Sequence, residues 1–600
     1  MTAPLTTLRA TGALRAFEAA GVLAPADVHV ASRLGRLGGE TSEPVLLATA
    51  LTVRALRLGS VCVELGRLPD LAADAGDLPW PDPSRLTEAV RRSPLMTGGA
   101  AGPLTPLTLV DTPGGPLLFL TRYHRQEEIV RTALADRERD RPAVDLGAAA
   151  AALAALFPGP APDRQRVAAA LAATEWTTIV AGGPGTGKTH TAARILALLF
   201  ALHGPALRVA LAAPTGKAAA RLQESIGAQA EELGLPAGLV ATTLHRLLGP
   251  RRDSRGRFTH HAHNRLPHDV IVLDETSMVS LTMMARLAEA VRPATRLILL
   301  GDPDQLASVD AGAVLADLVA RPPARPPGPA LARLVPGDLG AEGFPDAERD
   351  QLGNAVIRLR HGHRFGAGIA ALADAVRRGA ADEAMAVLTS GDETVDLRPP
   401  DDLAGVRDDV VTTGLALLDA AERGDLTAAL AALGTHRLLC AHREGPSGVG
   451  HWSRRSLAWL SRASGRVLDP DRRYPGLPLL VTENDDDAGL SNGDTGVVVR
   501  RDGGLVAAFD RGAGPLLVHP ARLSSVHPAY AMTIHRSQGS QYDSVTVVLP
   551  DETSAILTRQ LLYTAITRAR RRVRIVGRES AVRAALGRPA LRASGIGRTP

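Results

Sequence analysis

The segment that most constrains the fold is Gly182-Gly183-Pro184-Gly185-Thr186-Gly187-Lys188-Thr189, set between the β-branched run Thr177-Thr178-Ile179-Val180-Ala181 and a helical pattern from Ala192 to Leu202. G-x-x-x-x-G-K-T between a strand and a helix calls for a parallel α/β layer, in which a strand end meets a helix N-terminus. The glycines let backbone N–H groups close around a phosphate without Cβ clashes. Lys188 offers a compact ammonium to β- and γ-phosphates and Thr189 a hydroxyl to a magnesium ion, so ATP with Mg²⁺ is the expected ligand pair.

Such a loop needs a metal-holding carboxylate at the end of a neighbouring strand. The apolar run Val270-Ile271-Val272-Leu273 followed by Asp274-Glu275 provides it. Asp274 is placed to hold the magnesium, and Glu275 to polarise an attacking water as general base. A third strand, Leu297-Ile298-Leu299-Leu300, leads into Gly301-Asp302-Pro303-Asp304-Gln305-Leu306. A glutamine there can sense hydrolysis beside the γ-phosphate; by itself the segment also reads as an ordinary turn.

The chain has 600 residues, long enough for two to four domains. With 45% hydrophobic and 22% charged residues it is neither disordered nor fibrous. It shows no apolar stretch of about 18 residues or more and no signal-peptide core at its start, so a cytoplasmic enzyme is the default expectation. Cys62 and Cys440 cannot make a disulfide framework or a multi-cysteine zinc site. The net charge of +5 fits either a nucleic-acid partner met by a local basic track or a simple solubility charge. Of 68 basic residues only Lys188 and Lys217 are lysines. In so arginine-biased a chain, a lysine marks a place where the planar guanidinium would not serve.

Residues 1–145 read as a mostly helical N-terminal domain with one short β-like run at 61–65 and no catalytic constellation. Residues 146–330 read as a first α/β domain with a hairpin insert near 250–268. The Pro-rich stretch at 321–330 opens a loop of about 30 residues, taken as linker or insertion. A second α/β domain starts at 331–473 and finishes at 528–600. Between its halves, 474–527 reads as a small all-β insert with turns at Asn492-Gly493-Asp494 and Asp502-Gly503-Gly504.

The ordered set of motifs resembles one family. After the phosphate loop come Ala213-Pro214-Thr215-Gly216-Lys217-Ala218, Thr243-Leu244-His245-Arg246, Asp274-Glu275-Thr276-Ser277-Met278 and Gly-Asp-Pro-Asp-Gln-Leu. Further on come His363-Arg364-Phe365, Ala441-His442-Arg443-Glu444-Gly445, Leu490-Ser491-Asn492-Gly493-Asp494-Thr495-Gly496, Thr533-Ile534-His535-Arg536-Ser537-Gln538-Gly539-Ser540-Gln541 and Tyr563-Thr564-Ala565-Ile566-Thr567-Arg568. Together they resemble superfamily 1 helicases of the RecD branch over about residues 160–600. The resemblance implies two RecA-like P-loop domains that clamp ATP between them, and an SH3-like β insert. Arg364 and Arg568 then occupy the arginine-finger positions. Gln165 reads the adenine edge, and residues 182–190, through His190, bind the nucleotide. DNA contacts fall to Pro214, Thr215, Lys217, Thr243, His245, Thr533, His535 and Ser537.

The branch implies 5′→3′ movement on DNA, taken at duplex ends and along the 5′-ended single strand. It also implies a heterotrimer with RecB-like (beta) and RecC-like (gamma) subunits, as in exodeoxyribonuclease V. There the beta subunit carries the nuclease, and the N-terminal domain of this chain would dock on the gamma subunit. A stand-alone helicase, or a DNA-binding subunit that uses nucleotide only as a switch, are the alternatives. The run Arg251-Arg252-Asp253-Ser254-Arg255-Gly256-Arg257-Phe258-Thr259-His260-His261 is either a basic hairpin that enters the strand path or splits the duplex, or a solvated loop. His260, His261 and His263 lack the carboxylate or cysteine partners of a metal site. Three positions depart from the family: Gly362 where serine is common, Arg536 for lysine, and Gln541 for an acidic residue that would meet the ribose.

Overall fold

The computed structural model describes all residues except 1–9, 73–76, 99–104, 252–256, 341–343, 361, 363–364, 486, 512–513, 591 and 599–600. Two parallel sheets dominate it. The first has the spatial order Ala241–Thr243, Val209–Ala213, Val270–Leu273, Arg296–Gly301, Thr177–Gly182, Val356–Leu359. Its inner strands are apolar on both faces, as a parallel sheet sandwiched by helices requires. The second has the order Val395–Arg398, Ala569–Val576, Tyr542–Val548, His436–Cys440, Met532–Thr533, again all parallel.

Val356–Leu359 corrects the expected boundary. This strand pairs with Thr177–Gly182 in the first sheet, so the first lobe runs to about residue 359, not 330. The Pro-rich segment is not a linker either. Leu331, Val335, Phe344 and Leu352 enter the first lobe's core, and Arg166 pairs with Asp338 at 2.6 Å. Pro329–Leu334 and Asp346–Gln351 are helices, so the prolines start and stop short elements rather than stiffen a spacer.

Between halves of the second lobe sits a five-stranded antiparallel sheet, ordered Leu516–Val518, Gly504–Phe509, Thr495–Arg501, Pro478–Val481, Val526–Pro528. It has its own core around Leu479, Val498 and Phe509. Its other side packs Val497, Val499 and Ala508 against Leu417, Ala420 and Leu433, which lie on the helices Ala404–Glu422 and Leu426–Thr435.

The N-terminal region is mostly helical, with a three-stranded antiparallel sheet of Cys62–Glu64, Leu117–Leu120 and Leu107–Val110. Its last helix, Thr121–Arg139, lies on the first lobe against Leu281–Ala290. Arg137 on that helix is buried and donates to Thr177 Oγ1 at 2.8 Å and to the carbonyls of Trp176 at 2.6 Å, Arg292 at 3.0 Å and Thr295. Burial lowers its pKa to about 10. One side chain thus pins the N-terminal region to the strand that feeds the phosphate loop. Among the described residues no helix is long and apolar enough to cross a membrane.

Candidate nucleotide cleft and nucleic-acid track

Strand Thr177–Gly182 ends in the loop 183–187, and helix Lys188–His203 starts behind it. Gly185 and Gly187 take φ of 84° and 82°, the left-handed region where a side chain is strained. A β-carbon on Gly182 would stand 2.6 Å from Thr186 Oγ1, and one on Gly187 2.7 Å from Gln165 Nε2. The loop is therefore packed to its glycines, and Gln165 lies directly against it. The Lys188 ammonium donates to the carbonyls of Gly182 at 2.6 Å and Gly183 at 2.9 Å, which holds it over the loop's mouth.

Asp274 leaves the neighbouring strand beside it. Thr189 Oγ1 donates to Asp274 Oδ2 at 3.2 Å, so two hard oxygen donors converge as a magnesium ion prefers. Burial, with Glu275 next to it, pushes the Asp274 carboxyl upward. Glu275 has φ 50°, a left-handed conformation in a residue with a side chain, which costs about 1 kcal/mol or more and recurs at working sites.

Lys188, Thr189, His190, Asp274, Glu275 and Gln305 of the first lobe line one cleft of about 850 Å³ with Arg568 of the second. Arg568 is buried and held by the carbonyls of Thr564 at 3.0 Å and Ser540 at 3.3 Å. Burial lowers its pKa, against the opposing pull of Glu275 and Asp302. Arg364 lies outside the described residues. Gln305 donates to Asp302 Oδ2 at 3.0 Å.

The lobes also meet through residues that motif reading left without a role. Tyr563 Oη donates to Asp302 Oδ2 at 3.2 Å. Thr564 Oγ1 accepts from the N–H of Leu306 at 2.8 Å, and Gln538 Nε2 donates to the Leu306 carbonyl at 2.7 Å. The peptide groups flanking Leu306 are thus gripped from the second lobe on both polar edges. Gln538, Tyr563 and Thr564 all fall inside the helicase-like motifs at 533–541 and 563–568, the signal in the sequence that points to them.

The expected DNA-contacting residues sit where edge strands end. Thr243 closes the outermost strand of the first sheet and caps the helix Leu244–Leu248, accepting from the Arg246 N–H at 3.3 Å. His245 follows it, its ring 5.9 Å from that of Phe258, its pKa lowered by burial. Pro214 and Thr215 follow the adjacent strand, and Thr215 caps the helix Gly216–Ala230. Thr533 ends the edge strand of the second sheet, buried and accepting from the Arg536 N–H at 3.3 Å, and His535 follows it. Two expectations change. Ser537 is fully buried and donates to the Ile534 carbonyl at 2.7 Å, so its hydroxyl shapes the turn instead of facing a strand. Lys217 points into the cleft and donates to Thr495 Oγ1 of the β insert at 3.4 Å. Ser491 of the same insert packs onto Gly216, where a β-carbon would collide with its Oγ. The hairpin is present as Pro250 pairing with Phe258, while residues 252–256 lie outside the described part.

Comparison with known proteins agrees with this architecture. Residues 165–311 match an AAA domain, 528–576 a UvrD-like helicase C-terminal domain, and 19–112 the N-terminal domain of the RecBCD enzyme subunit RecD. The chain is 50% identical over 586 residues to the RecBCD enzyme subunit RecD of Mycolicibacterium smegmatis, covering 96% of this chain and 97% of that one. It belongs to the RecD family. The RecD subunit of Mycobacterium tuberculosis is 49% identical over 98% of this chain and 97% of its own length. The ATP-dependent RecD2 DNA helicase of Deinococcus radiodurans is 32% identical over 68% of this chain and 48% of its own. The Pif1 helicase of Candida albicans, a solved structure, aligns at 17% identity and a TM-score of 0.34 over 68% of this chain and 92% of that one.

Proposed function

We propose that this chain is the helicase subunit RecD of a RecBCD-type complex, an ATP-dependent DNA motor that moves 5′→3′ from duplex ends in the cytoplasm. The observation that carries the reading is the shared cleft. Lys188, Glu275 and Gln305 from one lobe and Arg568 from the other face a single space of about 850 Å³.

The chemistry follows from that arrangement. Gln165 reads the adenine edge, the loop N–H groups cradle the β-phosphate, and Lys188 neutralises the γ-phosphate oxygens. Mg²⁺, held by Thr189 and Asp274, would supply charge neutralisation at the β- and γ-oxygens when bound. Glu275 accepts a proton from the water that attacks the γ-phosphorus in line, while the bond to the β–γ bridging oxygen breaks and ADP leaves. Arg568 balances negative charge on the transferring phosphoryl group, a role the family resemblance also gives to Arg364. Gln305 registers the loss of that group, and the grip on Leu306 passes the change between lobes. Pro214, Thr215, Thr243, His245, Thr533 and His535 hold a strand by its backbone across both edge strands, which suits sequence-independent stepping. Lys217 lies nearer the nucleotide side, where it ties the first lobe to the insert. The N-terminal domain is the docking element for a RecC-like gamma subunit, and a RecB-like beta subunit supplies nuclease activity.

Strand displacement on 5′-tailed and 3′-tailed duplexes, with and without co-expressed beta and gamma partners, tests the reading. Unwinding of the 5′-tailed substrate that vanishes in Glu275→Gln supports it. DNA-stimulated ATP turnover that survives Glu275→Gln, or preference for the 3′ tail, refutes it.

A further inference from the structure

After its last helix, Glu579–Gly587, the chain passes from the second lobe to the N-terminal region. The N–H of Ala590 donates to Gln560 Oε1 at 2.7 Å, still on the second lobe's helix Arg559–Ile566. Two residues later the contacts belong to other parts. The Ala593 carbonyl accepts from the N–H of Val61 at 2.7 Å, and the Ala593 N–H donates to Ser60 Oγ at 3.1 Å. Glu127 receives the next turn, accepting from Ser594 Oγ at 2.8 Å and from the Gly595 N–H at 3.1 and 3.0 Å. Ile596 is 4% exposed and joins the core of Val61, Phe119, Leu315 and Leu318. Residues 592–598 therefore form a strap from the second lobe onto the N-terminal region.

The strap carries one side chain into the motor. Arg592 donates to the carbonyl of Ser308 at 2.9 Å, three residues beyond Gln305. Its guanidinium also covers Gly59, where φ is +95° and a β-carbon would come within 2.9 Å. Behind it lies a cavity of about 140 Å³ lined by Gln305, Ser277, Asp317, Gln560 and Arg592. Within it Ser277 Oγ and Asp317 Oδ2 have no hydrogen-bond partner, so the loop has polar space beside it into which it can shift.

We propose that Arg592 is a positioning residue for the Gln305 loop, held by a strap that makes this loop common to both motor lobes and the N-terminal domain. The loop is fixed at Leu306 by Thr564 and Gln538 and at Ser308 by Arg592. Moving the N-terminal domain shifts the second fixing point without touching the nucleotide. Docking at residues 59–64 and 127 is thereby felt at the hydrolysis sensor. The inference rests on the reading of Gln305 as that sensor.

The test uses the full chain with co-expressed partners and compares Arg592→Ala, Arg592→Lys and Gln305→Ala. The readouts are kcat and KM of DNA-stimulated ATP hydrolysis and ATP consumed per base pair unwound. Loss of one charge-assisted hydrogen bond predicts a fall in kcat of about tenfold for Arg592→Ala, with KM for ATP within about twofold. ATP consumed per base pair rises in the same variant. Arg592→Lys, which keeps a charge able to reach the Ser308 carbonyl, recovers most of the coupling and serves alone if the alanine variant fails to fold. Wild-type coupling in Arg592→Ala, or no recovery in Arg592→Lys, overturns the proposal. Wild-type coupling in Gln305→Ala overturns the sensor reading instead.

Discussion

Tyr563 and Asp302 come from opposite lobes, yet the tyrosine hydroxyl lies 3.2 Å from Asp302 Oδ2 and would stand 2.9 Å from a β-carbon placed on Gly183. One phenol thus touches the phosphate loop and the strand end that carries Gln305. Burial raises the Asp302 carboxyl to about 6 and lifts the Tyr563 phenol well above its ordinary range, so the bond joins two groups reluctant to ionise. Tyr563→Phe removes the bond and keeps the ring. We expect it to cost about 1 kcal/mol of interlobe contact and to lower DNA-stimulated kcat more than ATP affinity. Gly183→Ala pushes the phenol away and should reproduce the defect. Stopped-flow nucleotide binding beside steady-state turnover checks both, and equal losses in the two measurements would contradict this account.

Arg568 gives the sharpest catalytic prediction. Its guanidinium is held by two carbonyls and lines the cleft with Lys188. Arg568→Ala should reduce turnover by about 10³-fold or more, as removal of an arginine finger does. Arg568→Lys should recover little, because a single ammonium cannot keep both carbonyls and reach the phosphate. Nucleotide-free DNA affinity should stay near wild type, which fluorescence anisotropy of a labelled oligonucleotide measures.

Arg137 tests the anchoring of the N-terminal region. Its donors reach five acceptors, Thr177 Oγ1 and the carbonyls of Trp176, Arg292, Pro293 and Thr295, and none of these is a carboxylate. Arg137→Ala removes the guanidinium from the buried Thr295 carbonyl, while the carbonyls of Trp176 and Arg292 keep the N–H groups of Leu297 and Thr295, at a cost of about 1–3 kcal/mol. A lowered thermal midpoint with early proteolysis between residues 139 and 177 is the expected outcome. An unshifted midpoint would mean that water replaces the side chain.

The P-loop strand, the Asp274-Glu275 pair and the edge-strand ends were legible because each is a short local pattern whose chemistry dictates its neighbours. The contacts that join the lobes were not. Tyr563 and Asp302 lie 261 positions apart, and Arg592 and Ser308 lie 284 apart. Nothing local marks a tyrosine as a partner. Residues 356–359 fell inside the expected second domain for a similar reason, since a parallel strand carries no sign of which sheet it joins. Ser537 and Lys217 matched a motif, but a motif reports residue type and not the direction of a side chain.

The strap should respond to acidity. Glu127 faces Asp317 and Glu128, with Ser594 and Gly595 donating to it, and burial raises its carboxyl from about 4.5 to about 7. Asp317, which faces Arg592 and Arg598, is likewise raised to about 7 by burial. A raised carboxyl binds its proton more tightly in the folded chain, so its contribution is full below about pH 4.5 and is lost as pH climbs toward 7. Each such group weakens the fold by up to about 1.4 kcal/mol per pH unit across that window. Glu127→Gln stays neutral throughout. Its thermal midpoint relative to wild type should therefore rise between pH 5 and pH 7.5, and a constant difference would show that Glu127 titrates normally.

Both lysines of the chain open onto the same crevice. Reagents that acylate lysine side chains consequently find none elsewhere on this protein, and lysine carbamoylation or acetylation amounts to an attack on the engine itself. A bound triphosphate ought to shield Lys188, while Lys217 is already covered by Thr495 of the β insert, so mass spectrometry of two peptides can follow the working cycle.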